Sequence, residues 1–167
     1  MNLHFYEIPI LSDLLDFIKI NGKNLKTLNI YGTSSDMEFL GELIQLIGEK
    51  CQKLEHLETL YSNDIVDQQQ LIELFDGCKN LNYIIFPSLP CSMLLNSNKI
   101  FEALNQTLPE KLNTIIFNCK VEISDKLFDD LMNNWKGPKP FRIIEFSSFK
   151  TKLPSQVKKY KDLGFLM

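Results

Sequence analysis

Large apolar residues recur along the chain in one frame: an apolar side chain, two others, an apolar one, one other, then a third apolar one. The frame is clearest in "LNYIIFPS", residues 81–88, and "LNTIIFNC", residues 112–119, which share five of eight letters. It recurs as Leu25-x-x-Leu28-x-Ile30, Leu81-x-x-Ile84-x-Phe86, Leu112-x-x-Ile115-x-Phe117 and Phe141-x-x-Ile144-x-Phe146. Weaker copies are Leu54-x-x-Leu57-x-Thr59 and Leu3-x-x-Tyr6-x-Ile8. The six starts, at 3, 25, 54, 81, 112 and 141, lie 22 to 31 residues apart. Self-similarity at such a period marks stacked repeat units.

Between the copies the apolar spacing changes to three and four, the period of a helix. The segments are "SDLLDFIKI", "SDMEFLGELIQLIGEK", "VDQQQLIELFDG", "SNKIFEALNQ" and "SDKLFDDLMNNW". Each opens near an Asp or Asn (Asp13, Asp36, Asp67, Asn98, Asp125) whose side-chain oxygen can accept from free amides of the first turn. Ser35 with Glu38 also fits a capping box. Gly22, Gly77, Pro109 and Pro138 stand where these helices should stop. The predicted unit is strand, turn, helix, turn. A helix returns the chain each time, so consecutive strands are expected to be parallel.

This unit resembles the leucine-rich repeat, in its longer ribonuclease-inhibitor-like and cysteine-containing subtypes. Those subtypes carry a cysteine three residues before the first leucine, matched by "CQKL" at Cys51–Leu54 and "CKNL" at Cys78–Leu81. They also carry an "Ile-Thr-Asp"-like step into the helix, matched by "IVD" at 65–67 and "ISD" at 123–125. The resemblance spans almost the whole chain. It implies an α/β solenoid, a horseshoe with parallel strands on the concave face and helices on the convex face. One domain over residues 1–167 with about six degenerate repeats is expected. Neither end has an obvious polar cap, which points to a piece of a longer array.

Composition narrows the chemistry. The chain has 167 residues, 44% hydrophobic and 23% charged, with a net charge of −3 from 18 basic and 21 acidic residues. Arg142 is the only arginine, and arginine's planar fork is what phosphates and guanine edges usually meet. No nucleic-acid partner is expected. Cys51, Cys78, Cys91 and Cys119 form no CxxC pair, and only His4 and His56 could join them, so no metal and no cofactor is expected. No signal peptide and no bilayer-length apolar run is seen. A reducing cytoplasm or nucleus is the expected compartment, without a membrane partner. Catalytic motifs such as a P-loop, GxGxxG, HExxH or GxSxG are missing, so no catalytic residue is assigned.

Within the horseshoe, frame positions three, five and seven face the hollow, because strand side chains alternate. That places Tyr31, His56, Glu58, Tyr83, Ile85, Ile116, Ile143 and Glu145 on the concave face. The middle of that face is apolar (Tyr83, Ile85, Ile116, Ile143) with acids at its flanks (Glu58, Glu145). An apolar patch with a polar rim reads as a protein-binding surface. Two other accounts stay open: a parallel sheet buried on both faces, or a face covered by another segment. The resemblance implies the substrate-recognition part of an F-box receptor of a ubiquitin ligase. An adaptor of that ligase becomes a partner only if an F-box lies upstream. The alternative is a stoichiometric inhibitor or scaffold that holds an enzyme or small GTPase in the hollow.

Overall fold

The computed structural model describes residues 1–5, 11–30, 39–59, 66–86, 95–118, 121–135, 142–145 and 160. The chain runs β1 (Asn2–Phe5), α1 (Leu11–Asn21), a 3-10 turn (Gly22–Asn24), β2 (Thr27–Ile30), α2 (Leu40–Lys50), β3 (His56–Glu58), α3 (Gln68–Gly77) and β4 (Tyr83–Phe86). It continues with β5 (Leu95–Asn96), α4 (Asn98–Gln106), β6 (Thr114–Phe117), β7 (Val121–Glu122), α5 (Asp125–Asn134) and β8 (Arg142–Glu145). Among the described residues, six strands form one all-parallel sheet in the order β1-β2-β3-β4-β6-β8. The short strands β5 and β7 pair with each other, also in parallel. Every step across the main sheet goes the same way, and parallel crossovers are right-handed, so the helices fall on one face. Accordingly α1 meets α2, α2 meets α3, α3 meets α4 and α4 meets α5.

The two runs that share five letters lie on adjacent strands in step: Tyr83 opposes Thr114, Ile84 opposes Ile115, and Phe86 opposes Phe117. One turn geometry precedes four of the strands. The amides of Leu25, Leu54, Leu81 and Leu112 donate to the carbonyls of Gly22, Cys51, Cys78 and Pro109, at 2.9–3.0 Å. Strand entry is equally regular. The Lys26 carbonyl accepts from the amides of Glu55 and His56, the Glu55 carbonyl from Asn82 and Tyr83, and the Asn82 carbonyl from Asn113 and Thr114.

The cysteine three residues ahead of the leucine now has a physical role. The Cys78 thiol donates to the Cys51 carbonyl at 3.6 Å and the Ile47 carbonyl at 3.7 Å, in the preceding unit. Burial pushes the Cys51 thiol up to about 12 and the Cys78 thiol up as well. Both stay protonated at neutral pH, which keeps the donor in place and the sulfur unreactive. Both are free and buried.

Helix starts follow the expected signals only in part. Asp67 closes a capping box: the Gln70 amide donates to its carboxylate at 2.8 Å, and the Asp67 amide donates to Gln70 Oε1 at 3.0 Å. Asp13 and Asp125 lie inside the first turns of α1 and α5. Asn98 instead accepts from the Ser124 amide at 3.1 Å, tying one unit to the next. Asp36 and the Ser35/Glu38 pair lie outside the described residues.

The core sits between sheet and helices. Positions one (Leu25, Leu54, Leu81, Leu112) and four (Leu28, Leu57, Ile84, Ile115) are buried throughout. Position six is Ile30, Phe86 and Phe117 in β2, β4 and β6, but Thr59 directly after β3. Among the described residues the buried Thr59 hydroxyl has no hydrogen-bond partner. Thr59→Val keeps the shape and removes that polar atom, so a gain of about 1 kcal/mol is expected. Melting temperature should then rise by about 2–4 °C. A fall in a thermal or urea melt would mean the hydroxyl is bonded in solution.

The register corrects the frame at both ends of the sheet. Leu3 pairs with Leu28, a position-four residue, and not with Leu25. Arg142 pairs with Thr114, Ile143 with Ile115 and Glu145 with Phe117, one residue off the Phe141 frame. A slip of one residue exchanges the two faces of a strand. Ile143, expected on the concave face, therefore packs against the core.

Candidate sheet-face docking site

Pairing in parallel places opposed residues on the same face. On the face away from the helices, one row across the sheet reads Asn2, Thr27, His56, Tyr83, Thr114, Arg142. The row above it reads His4, Asn29, Glu58, Ile85, Ile116, with Ile144 at the last register position. Alternation in β2 and β4 is direct evidence of the two faces: Leu28, Ile30, Ile84 and Phe86 are closed, while Thr27, Asn29, Tyr83 and Ile85 reach solvent.

Four of the eight expected residues are on this face as a neighbouring set. His56 is exposed, Tyr83 and Ile85 are half-buried, and Glu58 is 7% exposed. The rings of His56 and Tyr83 stack with centroids 5.6 Å apart and planes at 27°. Desolvation holds the Tyr83 phenol above its ordinary range, and the Glu58 charge pushes it the same way. The phenol is therefore a neutral donor at physiological pH. Beside this set, the Lys26 ammonium bonds Glu55 at 2.9 Å and holds its carboxyl below the usual range.

Ile116 is also on this face but is only 3% exposed, and Thr114 only 4%. The expectation that Ile116 meets water is corrected: β6 is closed on both faces, as strands inside parallel sheets commonly are. Ile143 leaves the set because of the register. Glu145 is opposite Phe117 by register, and Tyr31 lies outside the described residues. The usable surface is thus the β2–β4 side of the sheet, centred on the ring pair.

Arg142, with its exposed side chain, and Asn2 and His4 belong to this face but were missed by the apolar frame. A signal for the first of these was present. The Ile-Ile doublets 84–85, 115–116 and 143–144 align the three strands in the register observed. In "PFRIIEF", the spacing of Phe141, Ile144 and Phe146 obscures it. Among the described residues no His/Cys/Asp/Glu cluster could hold a metal ion, and no helix is long and apolar enough to cross a membrane. Comparison with protein-family models, curated proteins and solved structures gave no match.

Proposed function

We propose that this chain is a leucine-rich-repeat module that binds a protein partner without catalysis, through the sheet face away from the helices. The observation that carries the reading is the stacked pair of exposed His56 and half-buried Tyr83, beside half-buried Ile85. Aromatic and aliphatic side chains beside a polar border are what interface centres are made of. The equivalent turns and the cysteine bonds between units support the repeat assignment. The resemblance to F-box receptors gives the partner's class, a protein held for modification by another subunit.

The test is capture from cell extract, followed by reconstitution with the purified partner. Tyr83→Ser combined with Ile85→Ser should weaken a one-to-one complex at least tenfold, about 1.4 kcal/mol. Ile20→Ser, on the 73% exposed Ile20 of α1, should leave the affinity unchanged. Circular dichroism at the binding temperature confirms that each variant is folded. A partner that binds all three forms equally removes the sheet face from the function.

A further inference from the structure

The chain is acidic overall, with a net charge of −3, yet its charge is sorted between two edges. Helices run opposite to the strands, so helix starts lie at one edge of the sheet and strand starts at the other. The helix-start edge carries Asp13, Asp67, Glu122 and Asp125, against Lys99 and Lys126. The strand-start edge carries Lys23, Lys26, Lys53, Lys79, Lys111 and Arg142, against Glu55, Asp76 and Glu110, with Glu55 paired to Lys26 and Asp76 to Lys79. The four described turns there share one hydrogen-bonded geometry, and each has a lysine one or two residues before its leucine: Lys23, Lys53, Lys79 and Lys111.

Part of the pattern has a local account. Cations in a last helical turn offset the helix dipole, and Lys19, Lys50 and Lys79 each pair with a nearby acid, Asp16, Glu49 and Asp76. Lys53 and Lys111 are different. They stand three and five residues past the ends of α2 and α4, immediately before Leu54 and Leu112. Lys111 donates to the neutral Asn80 side chain at 2.7 Å and, among the described residues, makes no ion pair. Lys23 and Lys53 are exposed and, among the described residues, make no ion pair. Three ammonium groups outside any ion pair among the described residues, Lys23, Lys53 and Lys111, on one edge of an acidic protein are complementary to a run of carboxylates.

We infer that the strand-start edge is a second docking surface, and that its occupant is an acidic segment of a protein partner, rich in Asp and Glu. Nucleic acid is disfavoured because the edge offers lysine point charges and a single arginine, Arg142. The surface adjoins the sheet face but does not depend on it, since no residue of the ring pair takes part.

The probe is a fluorescein-labelled twelve-residue Asp/Glu peptide, titrated by anisotropy into the full chain at low and high salt. The double variant Lys23→Glu, Lys53→Glu should weaken binding at least tenfold at low salt. Lys126→Glu, on the opposite edge, should change it less than twofold. Binding should fade at about 0.5 M salt, where the screening length is a few ångströms. The sheet-face double variant at Tyr83 and Ile85 should bind the peptide as the parent does, which separates this surface from the first. Equal loss in the Lys126 variant overturns the inference. So does an affinity for a single-stranded oligonucleotide equal to that for the peptide. Salt-sensitive self-association seen by sedimentation would make the occupant a second copy's acidic edge and also overturn it.

Discussion

Phe101→Ala should be the most damaging single truncation in the described core, lowering stability by about 4 kcal/mol. Phe101 is fully buried on α4 and sits at the centre of a chain of rings. Phe86 stacks on Phe117 at 5.4 Å across β4 and β6, and Phe117 stacks on Phe101 at 6.4 Å. Phe101 meets Phe128 of α5 at 6.3 Å, and Phe128 makes a T-shaped contact with Tyr160 at 5.7 Å. The Tyr160 hydroxyl in turn donates to Asp129 at 2.8 Å. Removing the central ring leaves a void that the sheet on one side and two helices on the other cannot both close. Each aromatic contact adds about 0.5–1.5 kcal/mol beyond area, so loss of two neighbours places this site at the upper end of the usual range. The melting temperature should fall by about 8–16 °C. Phe39→Ala, at a 47% exposed ring, should shift it little. A loss under about 1 kcal/mol at Phe101 would mean that the rings do not form one packed unit.

That ring chain was half legible in the sequence. Phe86 and Phe117 occupy the same place in two nearly identical runs, so their stacking follows from the repeat. Phe101 and Phe128 are on helices, where periodicity gives the buried stripe but not which neighbour each ring meets. The sheet itself was readable in β2, β3, β4 and β6, whose frames pair in step. It was misread at the two ends for a definite reason. Near β1 and β8 the sequence offers apolar residues at 3, 5, 6 and 8 and at 141, 143, 144 and 146, which satisfy more than one frame. Backbone pairing chooses among the frames, and the bond from the Arg142 amide to the Asn113 carbonyl at 2.7 Å fixes β8. The candidate site was legible to the same extent: Tyr83, Ile85 and His56 come from well-framed strands, whereas Ile143 comes from a poorly framed one. Burial of Ile116 and Glu58 was not readable, because alternation assigns a face and says nothing about what shields it.

Gly77→Ala should cost about 2–3 kcal/mol, although alanine is the better helix former. In sequence Gly77 reads only as a stop signal. In the structure it is the last residue of α3, and a Cβ there would overlap the carbonyl of Gly48 on α2. The contact is reciprocal: a Cβ on Gly48 would lie 2.6 Å from the Glu73 carbonyl oxygen of α3. Neither obstacle is a side chain that can rotate away, so the two helices must separate, and overpacking of that kind typically costs about 1–3 kcal/mol. The opposing term is the helix preference of alanine, about 1 kcal/mol in a helix interior and less at a last residue. Sterics should therefore win. Gly41→Ala gives the contrast, because the atoms nearest its Cβ would be those of the Gln70 side-chain amide, the first at 2.6 Å. Gln70 can swing aside at the expense of its capping-box bond to the Asp67 amide, a loss of about 1 kcal/mol. Urea melts should thus rank Gly77→Ala as the larger loss of the two. A stabilised Gly77→Ala, or the reverse ranking, would mean that α2 and α3 are not in backbone contact at Gly48 and Gly77, and that the close approach of these two units has to be redrawn.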